Sequence, residues 1–195
     1  MKPSVDTSLL TDEELVSEII KTKESTLFAL LYDRYAPKVY NKCLGFAKNK
    51  VEAEDLTHDI FIKLYVKLKT FKGTAKFSTW LYSFTYNFCV NYVQRNTYKK
   101  KEQLNQDAIE KRAAVAEEIS DSDFFQIKAS KLKKVLDRID VKDKMILLLK
   151  YQDELSIKEI QEALEIGESA VKMRLKRAKE RVMDEYKKLE YGKSF

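Results

Sequence analysis

The chain is 195 residues long, carries a formal net charge of +6 and has charged side chains at 35% of its positions. Only four glycines and two prolines interrupt it, which is typical of helices joined by few tight turns and predicts an all-α fold. Two cysteines are too few for a disulfide framework, and no segment is apolar enough to span a bilayer. We therefore expect a protein of the reducing cytoplasm without membrane insertion, whose basic charge favours an anionic partner.

The N-terminal part of the chain predicts three helices. Thr11 and Glu14 have the spacing of a capping box, which starts the first helix. A stripe of leucine and tyrosine predicts a second helix, which contains Pro37 and runs to about Asn49. The third helix is predicted over residues 51–69, and its apolar stripe consists of Leu56, Ile60, Ile62, Leu64, Tyr65 and Leu68.

The third helix begins with a cluster of acids that has three interpretations. Acidic side chains in a first turn are favoured by the helix dipole alone. Glu54, Asp55 and His58 also have the i, i+3 and i+4 spacing of carboxylate metal sites, but such sites need two half-motifs, and His58 is the only histidine in the chain. The third interpretation is a protein-binding surface.

Residues 71–95 combine aromatic rings with polar side chains. The stretch opens with a turn around Gly73, after which Ser78 or Thr79 is the expected N-cap of a long helix. One face of that helix is apolar. The other face carries Asn87, Asn91 and Arg95. Rings beside Asn, Lys and Arg are suited to stacking on unpaired bases, although an aromatic core helix with a solvated face has the same composition.

Residues 98–127 are predicted to form a linker that opens with a short basic run at 98–101 and is acidic from Glu102 onward. From residue 128 onward, apolar stripes at helical spacing predict a second helical domain. Within it, Ser156 and Glu159 have the spacing of a second capping box.

The C-terminal domain predicts a helix-turn-helix motif. A helix that ends at Leu164, a short turn and a long basic helix from Ser169 follow one another in the order of that motif. Two positions depart from its usual pattern, because Gln161 stands where a small Ala is common and Glu165 where the turn usually has Gly. Gly167 lies two residues further on.

Two separated blocks of the chain resemble bacterial sigma factors of the extracytoplasmic function (ECF) class. The first block contains F-x-x-L-Y-D-R-Y at residues 28–35 and F-x-G followed by F-S-T-W-L-Y at residues 71–82, and it is similar to sigma region 2. The second contains V-K-x-R-L-x-R-A at residues 171–178 and is similar to sigma region 4. The resemblance implies a region 2 domain at 1–97, a linker at 98–127 and a region 4 helix-turn-helix domain at 128–195.

The resemblance also implies a task for each block. Region 2 binds the clamp-helix coiled coil of core RNA polymerase, and the corresponding positions are Asp55, His58, Asp59, Phe61 and Leu64, with His58 standing where the family usually has Gln. Region 2 holds the melted non-template strand of the minus-ten element, here through Phe71, Gly73, Lys76, Phe77, Trp80, Asn87, Asn91 and Arg95. Region 4 reads the duplex minus-thirty-five element, here through Ser169, Lys172, Met173, Arg174, Lys176 and Arg177. The polymerase flap is a further contact.

The resemblance thus implies promoter-specific transcription initiation without a cofactor, a metal or a catalytic residue, and an anti-sigma factor as a further partner. Three alternatives are open. A helix-turn-helix regulator without a sigma role accounts for the C-terminal domain but not for residues 71–95. A metal-dependent enzyme has little support, because the chain has one histidine and no nucleophile–base pair. A structural adaptor would leave promoter choice unchanged.

Overall fold

The computed structural model describes residues 10–104 and 129–191. Their regular structure consists of α1 (Asp12–Thr22), α2 (Ser25–Leu44), α3 (Lys50–Lys67), a 3-10 turn (Leu68–Thr70), α4 (Phe77–Leu104), α5 (Ala129–Leu136), α6 (Val141–Leu147), a π turn (Leu148–Gln152), α7 (Ile157–Leu164) and α8 (Glu168–Tyr191). This confirms the predicted all-α class and its two helical domains. Among these helices none is both long and apolar enough to cross a membrane.

The chain divides into two compact units, Met1–Tyr92 and Val93–Phe195. The division falls inside α4, which continues to Leu104 through the first residues of the predicted linker. The rest of that linker, residues 105–127, lies outside the described residues, and the predicted boundaries at 97 and 127 stay predictions.

Side-chain caps mark the starts of α1 and α3 in the first unit. Thr11 and Glu14 form the predicted capping box at the start of α1. The second helix ends at Leu44 and not at the predicted Asn49, because the Asn49 side chain caps α3 by accepting from the backbone N–H of Glu52 at 2.8 Å. A short polar side chain of this kind competes with the helix for backbone donors and therefore marks a boundary.

The core of the first unit lies where α2 packs against α1 and α3. It also contains the two cysteines, whose Sγ atoms lie 3.9 Å apart with both side chains fully buried. The two cysteines lie 46 residues apart in the sequence, but the fold makes them neighbours on α2 and α4. A hydrogen bond to Cys43, together with burial, raises the pKa of the Cys89 thiol.

The start of α4 differs from the prediction. The helix begins at Phe77, and the backbone N–H of Trp80 bonds to the carbonyl of Lys76, so Lys76 and not Ser78 or Thr79 is the cap position. A lysine side chain has no acceptor for the free N–H groups of a first turn. The Oε1 atom of Glu13 on α1 supplies one, at 2.8 Å from the backbone nitrogen of Phe77.

In the second unit, α8 packs against α5, α6 and α7. The buried stripe of α8 consists of Val171, Leu175, Ala178 and Val182. The predicted capping box of Ser156 with Glu159 is present at the start of α7, and Asp140 caps α6. These local signals were readable from the sequence because both partners of each cap lie within one turn.

The turn between α7 and α8 takes its left-handed residue from Glu165. This residue has φ 52° and ψ 43°, and its backbone N–H closes α7 by bonding to the carbonyl of Gln161. Gly167 has no positive φ, so it does not supply the freedom that the turn needs. A non-glycine residue in this conformation costs about 1–2 kcal/mol, which the packing of the two helices offsets.

Candidate functional surfaces

The exposed side of α3 combines acids with apolar side chains. Asp55, His58 and Asp59 are exposed, as the sequence predicts for a protein-binding surface. Ile62 and Val66 follow on the same side at helical spacing and are 67% and 62% exposed. These five residues are called the α3 face below. Large apolar side chains this open are normally buried on folding, so the α3 face has the make-up of a protein interface.

The apolar part of the predicted polymerase contact needs a correction. Phe61 is only 3% exposed and Leu64 is fully buried, so neither side chain is available to a partner. The Phe61 ring instead packs on Tyr32 of α2, with ring centroids 4.6 Å apart. An α-helix has 3.6 residues per turn, so residues seven apart lie on the same face. Ile62, seven residues after Asp55, therefore shares the face of Asp55. That spacing is the sequence signal that places Ile62 on the exposed side of α3.

The metal interpretation of α3 gains no support from its geometry. Glu54, Asp55 and His58 are all exposed. Within residues 10–104 and 129–191, no three His, Cys, Asp or Glu side chains are grouped in a way that could hold a metal ion.

A row of aromatic rings connects the segment before α4 to the second turn of that helix. Phe71 lies edge-on to Phe77, with centroids 5.4 Å apart, and 5.5 Å from the ring of Trp80. Trp80 in turn stacks on Phe84 with 19° between the ring planes and 5.7 Å between centroids. Phe71, Trp80 and Phe84 are half-buried, which leaves part of each ring accessible for stacking on a base.

Phe71 and Phe77 flank a short segment that is open to solvent around Gly73. This segment and the two phenylalanines are called the 71–77 loop below. Gly73 has φ +69°, and a Cβ atom built there meets no atom within 4 Å. The backbone conformation therefore favours glycine at this position, whereas crowding does not. Lys76 is exposed beside it. Phe77, predicted to contact DNA, is fully buried, so its role is to anchor the loop and not to touch a base.

The polar side of α4 continues this accessible strip. Asn87, Asn91 and Arg95 are all exposed. Trp80, Asn87 and Asn91 share one side of the helix because they lie 7 and 11 residues apart. The Asn87 side chain makes a long hydrogen bond of 3.4 Å to Ser83 in its own helix. The Asn87 side chain is exposed, and it lies three residues after Phe84 on the same helix, where side chains at this spacing are neighbours.

The exposed side of α8 is basic. Ser169, Lys172, Met173, Arg174 and Arg177 are exposed, whereas Lys176 is half-buried. Most of these side chains lie opposite the buried stripe of the helix, and Arg174 lies at its flank. Lys172 pairs with Glu168 at 2.6 Å, and this hydrogen bond lowers the pKa of the Glu168 carboxyl. The six residues are called the α8 face.

Arg181 lies further along α8 and contacts a neighbouring helix directly. Its guanidinium forms an ion pair with Asp143 of α6. Burial raises the pKa of Asp143, and the hydrogen bond from Arg181 opposes this shift. Arg181 is therefore assigned to the packing of α8 on α6.

Two family models match the chain, and both describe parts of sigma factors. Residues 31–98 match Sigma-70 region 2, and residues 130–182 match Sigma-70, region 4. The first match covers α3, the 71–77 loop and the accessible part of α4, and the second covers the helix-turn-helix motif.

Named relatives agree with these models. The ECF RNA polymerase sigma factor SigW of Bacillus subtilis is 31% identical over 168 residues, which are 83% of this chain and 89% of SigW. The ECF RNA polymerase sigma-E factor of Escherichia coli is 28% identical over 181 residues, which are 89% of this chain and 93% of the relative.

Solved structures share the fold at low sequence identity. CnrH, solved in complex with the cytosolic domain of CnrY, has a TM-score of 0.60 and 16% identity, covering 89% of this chain and 95% of CnrH. RpoE of Bartonella quintana, solved with the anti-sigma factor NepR, has a TM-score of 0.57 and 18% identity, covering 82% and 96%. The chain belongs to the ECF sigma factors, the family that binds core RNA polymerase and promoter DNA and directs promoter-specific transcription initiation.

Proposed function

We propose that three surfaces divide the work of this sigma factor. The α3 face binds the clamp-helix coiled coil of core RNA polymerase. The 71–77 loop and the polar side of α4 hold the melted non-template strand of the minus-ten element. The α8 face reads the duplex minus-thirty-five element in the major groove. The protein has no catalytic activity of its own in this proposal, and it acts in the cytoplasm with the polymerase.

The observation that carries the proposal is the accessible strip of Phe71, Trp80, Phe84 and Asn87. Half-buried rings next to an outward amide suit a flipped base, which needs a surface for stacking and a hydrogen-bonding group for its edge. A helix-turn-helix regulator that binds only duplex DNA has no use for such a strip. Nor does a structural adaptor, which needs neither bases nor an open glycine loop.

Run-off transcription with core RNA polymerase on a library of genomic promoters tests the proposal. We expect the protein to direct initiation from a small set of promoters that share minus-ten and minus-thirty-five sequences. Footprinting of the protein without polymerase tests the alternative of a helix-turn-helix regulator, because such a regulator would protect the same promoter sites in the absence of polymerase. Unchanged promoter choice by the polymerase, with or without the protein, would contradict the assignment.

The two arginines of the α8 face are expected to specify the upstream element. Replacing Arg177 or Arg174 with Ala should cost roughly 1–3 kcal/mol of binding to the preferred promoter if the side chain reads a base edge, and should relax preference at one position. Binding of the holoenzyme to a set of single-base promoter variants measures this. Arg181→Ala is the matched control, since this arginine is held by Asp143. If Arg174→Ala and Arg177→Ala both kept the promoter preference of the wild type, the assignment of the α8 face to the major groove would be wrong.

An anti-sigma factor is also proposed as a partner. RpoE of Bartonella quintana was solved with the anti-sigma factor NepR, and this chain shares the fold of RpoE. The open apolar side chains of the α3 face support the proposal that free sigma factor is covered by another protein when it is not bound to polymerase.

A further inference from the structure

The first turn of α1 carries three consecutive acids that contact three different helices or their caps. Glu14 closes the capping box of its own helix with Thr11. Asp12 reaches α2, where it accepts hydrogen bonds from Arg34 at 3.0 Å and from the hydroxyl of Tyr35. Glu13 reaches α4, 64 residues further along the chain, and accepts from the backbone N–H of Phe77. Only the first of these contacts is local, so the turn acts as a tie between three helices.

The contact of Glu13 lies at a point where α4 needs an acceptor. Phe77 is the first residue of α4, and its N–H has no partner within the helix. Lys76 before it carries a cation, which cannot accept a hydrogen bond. A carboxylate in this place gains from both the charge-assisted bond and the positive end of the helix dipole.

Phe77 is also the residue at which the 71–77 loop ends. Its ring is fully buried, between Tyr35 at 5.5 Å and Phe71 at 5.4 Å centroid separation. Asp12 holds Tyr35, and Glu13 holds the Phe77 backbone, so neighbouring acids of α1 secure both the ring and the N–H of one residue. The exit of the loop is thereby fixed with respect to α1 and α2, while Gly73 and its neighbours stay open to solvent.

We propose that Glu13 is a positioning residue for minus-ten recognition: by holding the N–H of Phe77, it sets the shape of the 71–77 loop that receives the flipped base. The inference rests on the proposed function of that loop. Glu13 does not contact DNA in this proposal. It is exposed, so its replacement leaves no cavity, and the effect is expected at the start of α4 and in the adjoining loop.

Full-length variants in the reconstituted holoenzyme test the proposal. Initiation is measured on templates with a pre-melted minus-ten segment that differ only in the base at the flipped position. We expect Glu13→Ala to reduce the preference between bases about tenfold, because small displacements at a recognition site have large effects. Glu13→Gln should keep the preference within about twofold, since the amide oxygen still accepts from Phe77.

Glu14→Ala is the matched control on the same turn. It removes the α1 capping box but leaves the bond to Phe77, so a general weakening of α1 would make it resemble Glu13→Ala. Hydrogen exchange of the Phe77 amide gives a second measurement that does not depend on transcription. We expect faster exchange in Glu13→Ala and not in Glu13→Gln or Glu14→Ala.

Three results would overturn the positioning role. These are full base preference in Glu13→Ala, equal loss of preference in Glu13→Gln, and equal loss in Glu14→Ala. A wild-type holoenzyme that shows no base preference at the flipped position on the pre-melted template would instead overturn the proposed function of the loop. In that case, faster hydrogen exchange of the Phe77 amide in Glu13→Ala would still show that Glu13 holds this amide, but the bond would have no role in recognising the base.

Discussion

Asp59→Arg is expected to abolish binding to core RNA polymerase. Asp59 lies exposed in the middle of the α3 face, and a partner surface complementary to the acids of this face is expected to be basic. Reversing the charge turns an attraction into a like-charge contact, which costs about 3 kcal/mol or more and reduces affinity by at least about 100-fold. Arginine is a better helix former than aspartate, so α3 itself should be unharmed. Co-purification and titration with core enzyme measure the loss.

Glu24→Arg provides the control for this charge reversal. Glu24 is exposed at the start of α2 and makes no side-chain capping bond, so the variant changes the net charge equally at a site outside the α3 face. We expect it to bind core enzyme normally.

Ile62→Ala should weaken binding by roughly 1–3 kcal/mol without changing the charge, as expected for an apolar anchor at an interface centre. Normal co-purification of Asp59→Arg with core enzyme would remove α3 from the docking surface.

The sequence predicted those features of the fold whose causes are local. Both capping boxes were predictable because a Ser or Thr and a Glu three residues later satisfy each other's donors within one turn. The same holds for the buried stripe of α8, which follows from apolar residues at helical spacing. The cap of α4 was not predictable, because its acceptor, Glu13, lies 64 residues away and meets Phe77 only in the folded chain.

The candidate surfaces also combine features that the sequence predicts with features that depend on how the helices pack. The acids of α3 were predicted correctly as exposed residues, but the apolar anchors were placed on Phe61 and Leu64, which are buried. An apolar residue in a helix can belong to the core or to an interface, and composition does not separate the two. The position of the neighbouring helix does, since Phe28 and Tyr32 of α2 cover Phe61 and leave Ile62 open.

Glu165 illustrates a limit of motif reading. The usual glycine of the turn suggests that a chain without it forms the motif less well. Here the left-handed conformation is nevertheless adopted by a glutamate. Ile160 on α7 and Val171 on α8 are both fully buried. Burying two such side chains stabilises the packed helices by more than the conformation of one turn residue costs.

Asn87→Ala is expected to impair open-complex formation while core binding and closed-complex formation stay intact. The side chain is exposed and its one described contact is the 3.4 Å bond to Ser83 within α4. Alanine is the better helix former by up to about 0.7 kcal/mol. The variant should therefore be at least as stable as the wild type, which a thermal unfolding curve checks. Asn41→Ala, at an exposed position of α2, is the matched control and should behave as wild type throughout.

A pre-melted minus-ten template separates a reading defect from a melting defect. Asn87 lies about 15 Å along α4 from Phe77, next to the end of the ring row that leads from the loop through Trp80 to Phe84. If the amide reads the edge of the flipped base, melting the DNA beforehand restores initiation but not the preference among bases, because the reading group is missing on either template. Normal base preference of Asn87→Ala on the pre-melted template would show that another residue reads the flipped base. Loss of the fold would show instead that Asn87 is structural.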